Sequence, residues 1–127
     1  MPYRVLIVDD SKLARMSVAK VLAALRADWT RVEATNADEA LALAKQFPVD
    51  VALLDFNMPG RDGLALAAEL RDLFPQMPCA VISANVQQEV VSRAHEVGAR
   101  FLPKPITEPA LQAFLTDAET RLAAAPQ

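Results

Sequence analysis

Five side chains that can bind a cation or a phosphate group stand at or directly after short apolar runs. They are Asp9, Asp10, Asp55, Ser83 and Lys104. Three carboxylates gathered in one pocket repel each other, so they either share protons at raised pKa values or are neutralised by a cation. Oxygen-only ligands favour a hard ion such as Mg²⁺. A metal, an ammonium and a hydroxyl around one carboxylate suit a phosphoryl group, and the carboxylate of Asp55 could then attack phosphorus.

The apolar runs predict five buried strands, and three of them are almost wholly apolar, which suits strands covered on both faces. These are Arg4–Val8, Arg31–Ala34, Val49–Leu54, Cys79–Ser83 and Arg100–Leu102. Helix-length segments with apolar residues every three to four positions separate them. Alternation of strand and helix predicts an α/β fold with a doubly wound parallel sheet.

In the flavodoxin-like strand order 2-1-3-4-5, the first and third strands are neighbours, and ligands bind beyond the carboxyl ends of the strands. We therefore expect Asp9, Asp10 and Asp55 to meet, with Ser83 and Lys104 on neighbouring strand ends. Each residue alone has an ordinary structural interpretation. Asp10 could cap a helix, Asp55 could begin a turn, and Lys104 could be exposed in a loop between two prolines. Their coincidence at four strand ends favours a site.

Helix boundaries are indicated by four local signals. Asn36 followed by Glu39 forms a capping-box-like pair at the start of the second helix. Pro75 should stop the third helix, Gly98 should cap the fourth in the left-handed conformation, and Thr107 should open the fifth.

Length and composition indicate one domain over residues 1–127. Of the 127 residues 53% are hydrophobic, which excludes a disordered chain. The net charge is −3 and no block of Lys and Arg is present, so direct binding to nucleic acid is not expected. The single cysteine, Cys79, fits a reducing compartment. Neither a signal peptide nor a membrane-spanning run is evident, so we expect a soluble cytoplasmic domain that does not bind membranes.

Four stretches together resemble the receiver domain of two-component response regulators, in particular single-domain regulators of the chemotaxis type. They are Val5–Ser11, Leu53–Gly63, Ile82–Ala84 and Pro103–Pro105. The resemblance covers essentially the whole chain. It implies a phosphoprotein of a phosphorelay whose phospho-acceptor is Asp55.

The same resemblance implies roles for the other site residues. Asp10 would bind Mg²⁺ directly, Asp9 mainly through water, and Asn57 through its main-chain carbonyl. Lys104 would pair with the phosphoryl oxygens, and the Lys104–Pro105 peptide is expected to be cis. Ser83 would turn inward towards the phosphoryl group.

The switching aromatic of the family maps to Phe101, where many members have tyrosine. The surface formed by the fourth helix, fifth strand and fifth helix would change on phosphorylation, with docking residues Asn85, Val86, Gln87, Arg100, Phe101 and Ile106. Met16 is expected to be exposed near Asp10, where it could contact a kinase or phosphatase helix.

We therefore expect a phosphorylation-controlled switch and not an enzyme in the usual sense, since it would at most catalyse its own phosphotransfer and dephosphorylation. The expected partners are a sensor histidine kinase or histidine phosphotransfer protein, and a downstream protein or phosphatase. The alternative is the receiver part of a larger regulator, such as a transcription factor. An aspartate-nucleophile phosphatase would need a second acid where Asn57 stands. An FMN-binding flavodoxin-like protein would need a phosphate loop where Asp9 and Asp10 would repel phosphate.

Overall fold

A single five-stranded parallel sheet forms the centre of the protein, for which the computed structural model describes residues 2–124. The strands are β1 (Arg4–Val8), β2 (Thr30–Ala34), β3 (Val51–Asp55), β4 (Cys79–Ser83) and β5 (Arg100–Pro103). Their order in the sheet is β2-β1-β3-β4-β5, all parallel. The predicted fold class and strand order are therefore confirmed.

Four helices connect the strands, a fifth follows β5, and together they cover both faces of the sheet. They are α1 (Lys12–Leu25), α2 (Ala37–Gln46), α3 (Gly63–Leu73), α4 (Gln88–Glu96) and α5 (Glu108–Ala124). Two apolar clusters lie on opposite faces of the sheet. One joins the inner faces of α2, α3 and α4 to one face of the strands, and the other joins α1 and α5 to the opposite face. In β1, Leu6 and Val8 belong to the first cluster and Val5 and Ile7 to the second, as alternation along a strand requires.

The helix boundaries follow the local signals in the sequence. The Asn36 side chain accepts a hydrogen bond from the Glu39 N–H at 2.8 Å, and the Glu39 carboxylate accepts from the Thr35 N–H at 3.0 Å. Helix α3 ends at Leu73, before Pro75, and Gly98 follows α4 with φ of +77°. These caps occupy backbone groups that would otherwise have no partner at the helix ends.

The third strand differs from its predicted bounds. The sequence predicted Val49–Leu54, whereas β3 spans Val51–Asp55. The Val49 N–H donates to the Phe47 carbonyl in a local turn. Asp50 meets Arg4 through both its N–H and its carboxylate, and the register of β3 with β1 begins at Val51. At the other end Asp55 pairs with Ile82 and is thus part of the strand.

Two other strands are each one residue longer than predicted. Strand β2 begins at Thr30, which pairs with Arg4, and β5 continues to Pro103, which pairs with Ser83. Met1 and residues 125–127, part of the predicted domain, lie outside the described residues. Among residues 2–124, no helix combines the length and apolar character needed to cross a membrane.

Candidate functional site

The carboxyl ends of β1 and β3 bring three carboxylates together. Carboxylate oxygens of Asp9, Asp10 and Asp55 all lie within 4.8 Å of one another. Asp9 and Asp55 are only 5% and 4% exposed, whereas Asp10 is open to solvent. The juxtaposition predicted from the strand order is therefore present, at the edge where parallel sheets of this type bind ligands.

Lys104 lies against two of these carboxylates. Its Nζ is 2.7 Å from Asp55 Oδ1 and 3.7 Å from Asp9 Oδ2. The Lys104 N–H donates to the Ser83 carbonyl at 2.9 Å, which ties the residue to the end of β4. The Lys104–Pro105 peptide is cis, as the resemblance implied. One ammonium against three carboxylates leaves the site with an excess of negative charge.

Asp9 and Lys104 have pKa values away from their usual ranges. Burial raises the pKa of Asp9 above 3.8 and outweighs the hydrogen bond from the Ser11 N–H, while the charges of Asp55 and Asp10 raise it further and that of Lys104 lowers it. Burial alone would lower the pKa of Lys104, but its hydrogen bond to Asp55 and the surrounding carboxylates raise it above 10.5. At neutral pH the lysine therefore stays protonated.

The donor set fits a hard divalent cation. Its ligands are all oxygens, and the carboxylates carry more negative charge than Lys104 compensates. Mg²⁺ is commonly held by one or two carboxylates together with waters and substrate phosphate. In the loop after β3, no hydrogen bond among residues 2–124 takes the main-chain carbonyl of Asn57, which leaves that oxygen available as a further ligand. Asp9, Asp10 and Asp55 are thus the residues that could hold Mg²⁺, and the resemblance adds the Asn57 carbonyl.

The two residues to which the resemblance gives switching roles, Ser83 and Phe101, lie in different surroundings. Ser83 is 1% exposed, and its hydroxyl oxygen accepts a hydrogen bond from the Asn85 N–H at 2.9 Å. No hydrogen bond between Ser83 and Asp55 is formed in the described part of the chain. Phe101 pairs in register with Val81 and is half-buried against the apolar cluster shared by α2, α3 and α4.

Gly63 and Arg15 contribute to the site and were not singled out from the sequence. A Cβ on Gly63 would lie 2.4 Å from the main-chain oxygen of Asp55, so α3 can begin this close to β3 only with glycine there. Asp62 caps the helix by accepting from the Ala65 N–H at 2.9 Å. The cap could have been predicted from the sequence, but the clash depends on how closely α3 packs on β3. Arg15 reaches the acidic loop from α1 and carries no sequence signal of its own.

The raised pKa of Asp9 leads to a stability prediction. Because the fold disfavours the ionised carboxyl, the group lowers stability at neutral pH, and this cost disappears as the pH falls through the folded pKa towards 3.8. We expect Asp9→Asn, measured in EDTA at neutral pH, to unfold roughly 2–4 °C above the wild type. The advantage should shrink on acidification, and added Mg²⁺ should raise the midpoint less in the variant than in the wild type.

Thermal unfolding followed by circular dichroism, with and without Mg²⁺, checks this. The exposed Asp28→Asn is the matched control and should change neither midpoint. An Asp9→Asn variant that melts below the wild type in EDTA would contradict the electrostatic interpretation.

Comparison with known proteins agrees with this geometry. The chain is 42% identical over 106 residues to the positive alginate biosynthesis regulatory protein of Pseudomonas aeruginosa, covering 80% of this chain and 41% of that protein. It is 36% identical over 110 residues to the transcriptional regulatory protein PdtaR of Mycobacterium tuberculosis, covering 84% and 52% respectively. The chain thus spans about half or less of the length of these relatives.

A solved structure and a family model extend the likeness to the whole fold. The high-resolution structure of the Vibrio cholerae chemotaxis protein CheY4 superposes with a TM-score of 0.82 at 28% identity, covering 93% of this chain and 99% of that one. A family model described as the response regulator receiver domain matches residues 5–116. The chain belongs to the response regulator receiver domain family.

Proposed function

We propose that this chain is a phosphorylation-controlled switch in which Asp55 accepts a phosphoryl group from a phosphohistidine. The observation that carries the proposal is the position of the Asp55 carboxylate, which lies beside Asp9 and Asp10 and 2.7 Å from the Lys104 ammonium. The donor would be a sensor histidine kinase or a histidine phosphotransfer protein, and the exchange would take place in the cytoplasm. The chain would modify its own side chain and turn over no separate substrate.

The transfer would be an in-line displacement at phosphorus. A carboxylate oxygen of Asp55 forms the new P–O bond while the P–N bond to the donor imidazole breaks, and the electron pair returns to the ring nitrogen. Bound Mg²⁺ would neutralise charge that develops on the phosphoryl oxygens. The Lys104 ammonium donates a hydrogen bond to Asp55 Oδ1 in the unphosphorylated chain. It would shift to a phosphoryl oxygen and supply a second positive charge there.

Switching would begin at Ser83. Its hydroxyl, which now accepts from the Asn85 N–H, would rotate to donate to the phosphoryl group, and the main-chain amides of Asn57 and Ala84 would donate as well. Phe101 would then move further into the space beside β4. To carry the protein from mostly inactive to mostly active, the two states must differ in interaction free energy by roughly 5 kcal/mol. The added charge and its hydrogen bonds are the proposed source.

Downstream partners would dock on the surface of α4, β5 and α5. The residues proposed to take part are Asn85, Val86, Gln87, Arg100, Phe101 and Ile106. Val86 is an apolar residue that is 63% exposed, and it lies in the loop that follows Ser83. A movement of Ser83 would thus shift the loop that carries Val86, an apolar residue that a partner could contact.

The phosphodonor would approach over α1. Leu13 and Met16 are 76% and 54% exposed on the first turns of that helix, next to Asp10. Beside them a cavity of about 550 Å³ reaches from α1 to Lys104 and Ile106 and includes Asp9 in its lining. We propose that a helix of the donor packs its apolar face on Leu13 and Met16 while its phosphohistidine enters towards Asp55.

Replacing the exposed apolar residues of α1 should separate docking from chemistry. We expect the double variant Leu13→Gln, Met16→Gln to accept phosphate about tenfold more slowly from a histidine kinase that phosphorylates the wild type, because two apolar contacts are lost. Its rate with acetyl phosphate, which needs no docking, should be unchanged. Leu73→Gln, which replaces an exposed leucine at the end of α3, is the control. Equal loss with both donors would place these residues in the fold or the chemistry and contradict a docking role.

A second candidate is the receiver part of a longer regulator with an output domain. The observation in its favour is that the chain covers only 41% and 52% of two relatives whose names describe regulatory proteins. An open reading frame in the source genome that continues past Gln127 into another domain would support it. The phosphorylation chemistry proposed for Asp55 would be the same in either case.

The direct test of the proposed function is to phosphorylate the chain with acetyl phosphate and to map the adduct. We expect one phosphoryl group per chain, on the peptide that contains Asp55, and only when Mg²⁺ is present. The adduct should be labile to hydroxylamine, as an acyl phosphate is. Incorporation on a serine or threonine, or incorporation that persists in EDTA, would count against the proposal.

A further inference from the structure

The guanidinium of Arg15, on α1, is bound to the backbone of the acidic loop. Its Nη1 donates to the main-chain oxygen of Asp9 at 2.7 Å, and its Nε donates to the Glu33 carboxylate at 3.0 Å. The side chain is only 13% exposed. Arg15 therefore bridges the end of β1 and the edge strand β2. It forms no ion pair with the three carboxylates of the site.

The bond from Arg15 is one of three hydrogen bonds that hold Asp9 in place. The Asp9 N–H donates to the Ala34 carbonyl at 3.1 Å, and its Oδ1 accepts from the Ser11 N–H at 2.9 Å. The carbonyl held by Arg15 belongs to the peptide that joins Asp9 to Asp10. This peptide positions the backbone N and Cα of Asp10, from which its exposed carboxylate projects, and Asp10 has no hydrogen bond of its own among residues 2–124.

Arg15 adds little charge to the site. Within residues 2–124 its one ion-pair partner is Glu33, and it pairs with none of the three site carboxylates. An arginine placed on those carboxylates would compete with a cation for the same oxygens. Arg15 instead has its charge balanced by Glu33 and contacts the neutral backbone oxygen.

We propose that Arg15 is a positioning residue for the divalent-cation site, holding the Asp9–Asp10 peptide so that both carboxylates face the same point. The inference rests on the proposed function, because it assumes that Mg²⁺ binds there. Groups that orient metal ligands from outside typically account for 10–100-fold in metal affinity. Since Arg15 acts through one main-chain bond, we expect about a tenfold effect, at the lower end of that range.

The chain offers a matched control on the same carboxylate. Arg31 also pairs with Glu33, at 3.7 Å, but it is 49% exposed and has no described contact with the acidic loop. Arg31→Gln removes the same charge as Arg15→Gln from the same neighbourhood. The two variants therefore separate a change in net charge from the loss of the bond to Asp9.

The test measures Mg²⁺ binding to the full chain by isothermal titration calorimetry and the rate of phosphorylation by acetyl phosphate as Mg²⁺ is varied. Arg15→Gln should raise the Kd for Mg²⁺ about tenfold, and Arg31→Gln should leave it within roughly twofold. The half-saturating Mg²⁺ concentration for phosphorylation should rise by the same factor in Arg15→Gln. The rate at saturating Mg²⁺ should stay near that of the wild type, because the ligands themselves are intact.

Each result supports or overturns the inference. Wild-type Mg²⁺ affinity in Arg15→Gln, or equal weakening in Arg31→Gln, overturns it and leaves the proposed function standing. A wild-type chain that binds no Mg²⁺ overturns both. If Arg15→Gln does not fold, Arg15→Lys decides, since one ammonium cannot span both oxygens: weaker Mg²⁺ binding supports the inference, and unchanged binding overturns it.

Discussion

Asp55→Asn should lower phosphoryl incorporation from acetyl phosphate to less than about one thousandth of the wild-type level, as expected when the attacking atom is removed. An amide oxygen is a poor nucleophile, and the neutral side chain loses its charged interaction with Lys104. The substitution keeps the size of the side chain, so β3 and its pairing with β4 should be preserved. The measurement is the fraction of chains carrying the phosphoryl adduct in intact-protein mass spectrometry.

Asp72→Asn is the matched control for this experiment. Asp72 lies on α3, is exposed, and has no described ion pair, so its loss changes the net charge equally without touching the site. It should be phosphorylated like the wild type. Stable, undiminished labelling of the Asp55→Asn chain would show that the acceptor is another residue, and the peptide map would identify it.

Gly63→Ala should destabilise the fold by at least about 3 kcal/mol, the upper part of the range for overpacked interiors. The added methyl would meet the Asp55 carbonyl oxygen at 2.4 Å and its carbon at 2.9 Å, and both atoms belong to a backbone that cannot rotate away. Either α3 moves off the sheet or the end of β3 shifts. Urea unfolding gives the free energy, and the phosphorylation rate should fall as well because the shifted residue is the proposed acceptor.

Gly60→Ala, in the loop that leads into α3, provides the comparison. Gly60 has φ of +79° and no atom within 4 Å of an added Cβ, so the substitution costs only backbone strain of about 1–2 kcal/mol. Gly63→Ala should therefore be the more damaging change although its backbone is ordinary. If Gly63→Ala lowers the free energy of unfolding no more than Gly60→Ala does, α3 can move away from β3 at little cost. If Gly63→Ala does not fold while Gly60→Ala does, the result agrees with the clash.

The fold class and the proximity of the three site aspartates could be predicted from the sequence. The parallel sheet could be inferred because apolar runs and helical periodicity alternate, and its order was taken to be the flavodoxin-like one. Asp9, Asp10 and Asp55 each stand at or directly after the end of an apolar run. Strand ends were less predictable. Val49 is apolar and looks like part of β3, but its N–H is taken by the Phe47 carbonyl, a pairing that apolar pattern alone does not reveal.

Contacts that depend on the distance between elements could not be predicted. The bond from Arg15 to the Asp9 carbonyl requires the packing of α1 on β1, and the restriction at Gly63 requires the packing of α3 on β3. Likewise, periodicity placed Met16 on the exposed side of α1, where it is 54% exposed, but gave no indication of the cavity beside it.

The position of β5 at the border of the sheet has a mechanical consequence. It is bonded to β4 alone, and its outer side has no strand neighbour among residues 2–124. Phe101 and Lys104 stand three residues apart on this strand and the turn that follows it. In the proposed switch, a displacement that starts at the lysine would therefore pass along a peripheral segment and would leave the ladders that join β1 to β3 unbroken.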